Sequence, residues 1–170
     1  MDEVFYEFKN SKWKYVWTII VSLTSNQFAK SFIGDRGYSP IIVFKKGNPK
    51  VYARSTDILP GIETYGITNK PKDRLYKPTF PNQMIVGYFT RENDIVLDPF
   101  GGMASIPAAC HLSNRKWLSC EINPKIFEKV KNYFSANGIQ YNSLVFDIPK
   151  LQEEIQAFLN LEPVLEFENY

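Results

Sequence analysis

The chain has one histidine, His111, and two cysteines, Cys110 and Cys120, among 170 residues. The cysteines have no second histidine near them and match neither a zinc-ligand spacing nor a disulfide framework. No metal is therefore expected, and the expected setting is reducing and intracellular, that is, cytoplasmic. His111 follows Cys110 on a predicted helix and reads as a surface or packing residue, not a base. Both cysteines read as small buried apolar groups. Long apolar runs are missing too. Val16–Leu23 is interrupted by Thr18 and Ser22 and is far too short to span a bilayer. The opening MDEVFYEFKN lacks a signal peptide's apolar core. Net charge is small: 20 Lys and Arg against 18 Asp and Glu leave +2, so total charge announces no nucleic-acid partner.

What is present is a globular balance, 44% apolar and 22% charged, enough for one domain over 1–170. The even charge hides a gradient. Lys45–Lys77 holds eight basic residues against three acids, and Asp147–Tyr170 holds six acids against one base. In the basic stretch Lys45, Lys46, Lys50, Arg54, Lys70, Lys72 and Arg74 are interleaved with Tyr52, Tyr65 and Tyr76. Such a stretch either touches phosphates or is a solvated loop.

Apolar pattern and turn residues predict the elements. Met1–Lys14 reads as a short helix, Tyr15–Thr24 as a buried strand, Ser25–Ser39 as a loop and Pro40–Lys45 as a second strand. Gly47–Thr79 is mostly irregular, and loops of that length in a compact domain are usually functional. Pro81–Thr90 reads as a helix with proline in its first turn. Asp94–Asp98 is then a short strand, PFGGMA a turn, and Ser105–Leu112 a helix with Ser105 as N-cap. Trp117–Glu121 is a strand, Pro124–Asn137 an amphipathic helix closed by Gly138, Ser143–Phe146 a strand, and Pro149–Leu159 a helix. Alternation of this kind predicts a parallel sheet with right-handed crossovers.

In such a sheet, ligands sit beyond the carboxyl ends of the strands. Asp98, Glu121 and Asp147 fall there. An acid ending an apolar run needs solvent, a donor or a ligand. Gly101 and Gly102 let a ligand approach the backbone, and the next helix offers the positive end of its dipole. Glu121 follows Gly101 by twenty residues, the interval at which an acid on the second strand reaches a ribose diol. The glycines are adjacent and a third is absent, so a dinucleotide pyrophosphate is poorly matched. S-adenosylmethionine fits better, with Asp98 for its amino-acid end and Glu121 for its ribose. Asp147 either belongs to that site or caps the helix from Pro149. Phe100 either contacts the adenine or packs at the turn.

DIVLDPFGGMAS resembles the cofactor motif D-P-F-x-G-x-G-T of the amino-methyltransferases of DNA, which methylate the exocyclic amine of adenine or cytosine. Asp98, Pro99, Phe100 and Gly102 match, Ala104 stands for the last glycine and Ser105 for the threonine. WLSCEINP, Trp117–Pro124, resembles the family's next motif, and Lys77-Pro78 its Lys-Pro opening a helix over the methionine end. Tyr15–Gly47 is similar to the segment before the recognition loop in phage-type members. The resemblance implies an α/β fold, a Rossmann-like S-adenosylmethionine-dependent methyltransferase sheet. It places strands at 15–47, a DNA recognition loop at 48–80 and a cofactor-binding α/β unit at 81–160. The implied cofactor-binding residues are Lys77, Asp98, Pro99, Phe100, Gly101, Gly102, Ala104, Glu121 and Asp147.

The family's catalytic motif, [DNS]-P-P-[YFW], is not found in these residues, and no Pro-Pro pair occurs. The motif's task is physical: acceptors must take the amine's hydrogens while an aromatic holds the flipped base. The strand that carries it is missing with it, which should leave an unpaired sheet edge. The expectation is a cofactor-binding part completed by a protein partner, with no catalytic residue of its own. The alternative is a defective methyltransferase-like module that binds DNA or protein. Phe5, Tyr6, Trp13 and Trp17 either meet that partner or pack internally.

Overall fold

The computed structural model describes residues 11–23, 29–31, 34–53, 56–73 and 76–143. The helix expected before residue 11, the strand Ser143–Phe146 beyond its first residue, the helix Pro149–Leu159, and the candidates Arg54, Arg74 and Asp147 lie outside the described residues. The chain divides into two compact units, Met1–Ile139 and Gln140–Tyr170. The architecture below is that of the first.

The β-branched and aromatic run forms β1, Trp13–Ser22, which begins within the expected first helix. It pairs antiparallel with β4, Tyr38–Lys46, and in parallel with β5, Ile58–Pro60, in the order β4-β1-β5. Between them, where a loop was expected, β2 (Ala29–Ser31) and β3 (Gly34–Arg36) form a small antiparallel pair. Helix α1 spans Thr79–Phe89, α2 Ser105–Leu112 and α3 Pro124–Ala136. The parallel pair expected from the alternating pattern is β6, Ile95–Asp98, with β7, Lys116–Ser119.

Only half of β1 is buried. Tyr15 lies opposite Phe44 and Trp17 opposite Val43, so Val16 is an extra residue, a bulge. The bulge moves Trp17 to the opposite face from Trp13 and Tyr15. Beyond it Ile19 packs with Ile41, Val43 and Leu59 against Met84, Ile85 and Tyr88 of α1. From Trp13 to Trp17 every residue is exposed, on both sides of the bulge. The β6–β7 pair is one-sided as well: Val96 and Trp117 are half-buried, while Ile95, Leu97 and Leu118 are 71%, 63% and 60% exposed.

Two side chains hold the ends of the helices. Pro78 offers α1 no side-chain cap, and Glu63 takes that role from the preceding loop. Its Oε1 accepts from the Thr79 amide at 3.0 Å, and its Oε2 from the Tyr76 hydroxyl at 2.7 Å. At the other end, Arg115 donates from Nε to Thr90 Oγ1 at 3.1 Å, from Nη2 to the Thr90 carbonyl at 2.8 Å, and from Nη1 to the Ser113 carbonyl. Arg115 thus joins the C-terminal ends of α1 and α2, which pack against each other.

Arg115→Ala removes three hydrogen bonds made by a charged group and leaves helix-end carbonyls unpaired. The expected loss is about 2 kcal/mol, read as roughly 4–8 °C of Tm in a thermal denaturation series.

Candidate cofactor site

Asp98 ends β6 and is 7% exposed. Its Oδ1 accepts from the Phe100 amide at 3.3 Å, and the Ser119 hydroxyl, on the paired strand, also bonds the carboxyl. Burial pushes the Asp98 carboxyl above the ordinary carboxylate range. The two hydrogen bonds oppose that rise and the charge on Glu121 adds to it. Glu121 stands just past β7 with both oxygens engaged: Oε2 accepts from the Gly102 amide at 2.9 Å and Oε1 from the Asn123 amide at 2.7 Å. The Gly101 amide donates to the Cys120 carbonyl at 2.7 Å, and the Cys120 amide to the Asp98 carbonyl at 3.0 Å. Backbone and carboxylate together lace the turn after β6 to the segment after β7.

The turn needs its small residues for separate reasons. A Cβ on Gly101 would lie 2.3 Å from Ser119 Oγ and 3.1 Å from the Cys120 carbonyl oxygen. Gly102 has φ +51°, in the left-handed region. Ala104 is left-handed as well, at φ 58° and ψ 35°, and it is the N-cap of α2. The expected N-cap, Ser105, is the first residue inside the helix, because the left-handed residue already turns the chain into the helical path. This conformation gives a reason for the glycine that the family motif carries where this chain has alanine. Phe100 is 90% exposed beside the turn, so it does not pack in the core.

Lys77 and Pro78 precede α1 as expected, with Lys77 exposed. The neighbouring Tyr76 packs against Tyr133 of α3, 5.7 Å between ring centroids. The described basic candidates divide. Lys70 and Lys72 belong to the loop between Glu63 and Thr79, and this loop leans on α3, where the Thr68 amide donates to Asn137 Oδ1 at 2.9 Å and Lys129 pairs with Asp73 at 2.6 Å. Lys45, Lys46 and Lys50 run instead toward Tyr52, whose amide donates to the Tyr88 carbonyl at 2.7 Å near the C-terminal end of α1. The two groups are not brought together.

Cys110 is buried beneath the turn. Burial, with the Asp98 charge adding to it, pushes its thiol up to about 11. Cys120 is exposed, contrary to expectation, because its backbone joins the turn while its side chain faces out. His111 is exposed. Three contributors were not singled out from the sequence. Glu63 acts across a loop and leaves no local pattern. Ser119 is revealed only by register with Asp98. Asn123 was legible, since Asn before Pro is a helix-start signal, and its Oδ1 accepts from the Lys125 and Ile126 amides at 3.0 and 3.4 Å. Among the described residues no cluster of His, Cys, Asp and Glu is fit to hold a metal ion, and no helix is long and apolar enough to cross a membrane.

Two stability outcomes follow from this geometry. Ala104→Gly relieves a left-handed alanine worth about 1 kcal/mol, against a smaller unfolded-state entropy cost, so Tm should hold or rise. Asp98→Asn should raise stability at neutral pH, since it removes a desolvated charge. The folded protein binds more protons than the unfolded one between the ordinary and the raised carboxyl pKa, so the wild type loses stability as pH rises through that window. The gain from Asn should therefore fade as pH falls below it, as urea titrations across pH will read.

The chain is similar in fold to several solved DNA methyltransferases. The M1.HpyAVI complex with SAM matches at a TM-score of 0.59 and 19% identity, over 78% of this chain and 68% of that one. TTHA0409 of Thermus thermophilus, complexed with S-adenosyl-L-methionine, matches at 0.59 and 17%, over 82% and 60%. The PvuII DNA methyltransferase (cytosine-N4-specific) matches at 0.58 and 15%, over 94% and 62%. This chain thus spans between 60% and 68% of their length. No curated protein sequence matches it. The family model described as DNA methylase matches residues 2–132. With most of its length matched in this way and its fold shared with these enzymes, the chain belongs to the DNA methylase family.

Proposed function

We propose that the chain is the S-adenosylmethionine-binding part of a DNA methyltransferase that acts on the exocyclic amine of adenine or cytosine, and that its catalytic segment comes from a second chain. One observation carries the reading: a buried carboxylate, Asp98, and a carboxylate held by two backbone amides, Glu121, flank a turn in which a Cβ at Gly101 would displace the Ser119 hydroxyl.

The residues fit the cofactor. Asp98, in a partly desolvated position, suits a primary ammonium group, whose attraction to it is strengthened by the low local dielectric. Glu121 has its orientation fixed by the Gly102 and Asn123 amides and retains lone pairs for a ribose diol. Gly101 and Gly102 admit the ligand to the backbone, Ala104 turns the chain into α2, and exposed Phe100 offers a ring face to the adenine. Pro99 sets the turn's first dihedral. Lys77 stands at the helix end that would face the carboxylate. The cofactor supplies an activated methyl group on a sulfonium. This chain's own residues bind and orient it, while the amine is held by a segment from outside these residues. The apolar outer face of β6–β7, with Ile95, Leu97 and Leu118 exposed, supports a covering partner. Lys70 and Lys72, in the loop between Glu63 and Thr79, are proposed DNA-phosphate contacts.

Calorimetric titration with S-adenosylmethionine tests the site. The wild type should bind, and Asp98→Ala should lose binding by a hundredfold or more, on the order of 3 kcal/mol. Unchanged affinity in Asp98→Ala would overturn the assignment. Methyl transfer to DNA should appear only when a chain bearing the [DNS]-P-P-[YFW] segment is added.

A further inference from the structure

The exposed end of the β1–β4 ribbon lies outside the cofactor site, and its composition is one-sided. Between Ser11 and Ser22 and between Tyr38 and Lys50 there is no acidic residue, against Lys12, Lys14, Lys45, Lys46 and Lys50. Lys14 and Lys45 face each other directly across the strands, and Lys46 lies opposite Trp13. Like charges in that position repel and destabilise the pair. Among the described residues the ion pairs are Lys129–Asp73 and Lys131–Glu128, so no described carboxylate pairs with these lysines. Trp13 and Trp17 are 46% and 55% exposed, and the Val16 bulge places them on opposite faces. The ribbon end therefore offers an aromatic ring and lysine on each side, with no described carboxylate paired to it.

We propose that this ribbon end is a second DNA contact, one that grips the phosphate backbone without reading sequence. It deepens the DNA-methyltransferase reading and rests on that reading for the identity of the polyanion. Phosphates supply the opposite charge that the Lys14–Lys45 pair lacks, and displaced counterions drive the association. A two-stranded ribbon fits a duplex groove, and the tryptophans add planar surface against sugars or unstacked bases. A protein partner is the less suitable occupant, because lysine is depleted at protein interfaces and lysines along an open strand edge discourage strand addition. The ribbon leads to Tyr52, whose amide bonds the Tyr88 carbonyl near the C-terminal end of α1. None of its residues belongs to the turn around Asp98 and Glu121.

The test is fluorescence anisotropy of the full chain with a labelled duplex of random sequence, about 24 base pairs, titrated between roughly 50 and 200 mM salt. The variant is Lys14→Gln/Lys45→Gln/Lys46→Gln, with Lys70→Gln/Lys72→Gln as comparator and circular dichroism confirming the fold. The ribbon variant should bind at least about tenfold more weakly, and its slope of log affinity against log salt should flatten by about 2–3. Wild-type affinity with an unchanged slope would overturn the proposal, as would a wild-type chain that ignores DNA or binds polyglutamate equally well. Calorimetry with S-adenosylmethionine is run beside it. A chain that binds duplex through the ribbon but never binds the cofactor loses the proposed function and keeps this contact.

Discussion

The turn after β6 exists in its present shape because two strand ends are tied to each other at close range. Gly101 approaches Ser119 and Cys120 so closely that a side chain there would displace the Ser119 hydroxyl, and Glu121 reaches back to hold the Gly102 amide. Register in the β6–β7 pair then sets everything downstream. Asp98 faces Ser119, its carboxyl stays buried, and α2 begins directly from the left-handed residue at 104. A slip of one residue between these strands would turn Asp98 to the other face and separate it from Ser119.

The two faces of the short parallel pair are unequal. Val96 and Trp117 lie on the covered side, where the Trp117 ring meets Phe134 of α3 at 5.7 Å between centroids. The opposite side shows three large aliphatic side chains to solvent. In a parallel sheet both faces are normally covered, and among the described residues this side has no cover. The β1–β4 ribbon differs in kind, since its exposed end carries lysine beside the aromatics. The first surface fits an apolar cover and the second a polyanion.

Much of this was legible in the sequence, for physical reasons that can be named. Ser105–Leu112 and Pro124–Ala136 are bounded by punctuating residues, and the strands ending near Asp98 and Glu121 are apolar runs stopped by acids. The cofactor turn was legible because its glycines and acids are close in sequence. What escaped depends on tertiary geometry. The bulge at Val16 leaves no compositional mark, so β1 read as uniformly buried. Ser105 read as a cap because serine favours that position, and only the backbone shows Ala104 holding it. The basic run read as one surface, yet Lys46 ends β4 while Lys70 lies in a loop that leans on α3. Cys120 read as buried from residue type, a weak guide at a strand end.

Glu63 binds the first amide of α1 from sixteen positions upstream, so the helix has no local means of closing its own start. Its opening turn and the intervening loop are one cooperative unit. Release of that carboxylate frays the helix, and fraying in turn frees the loop that carries Lys70 and Lys72. Backbone amides at the start of the helix should then exchange with solvent at the pace of the loop, not at that of the well-packed segment around Tyr88.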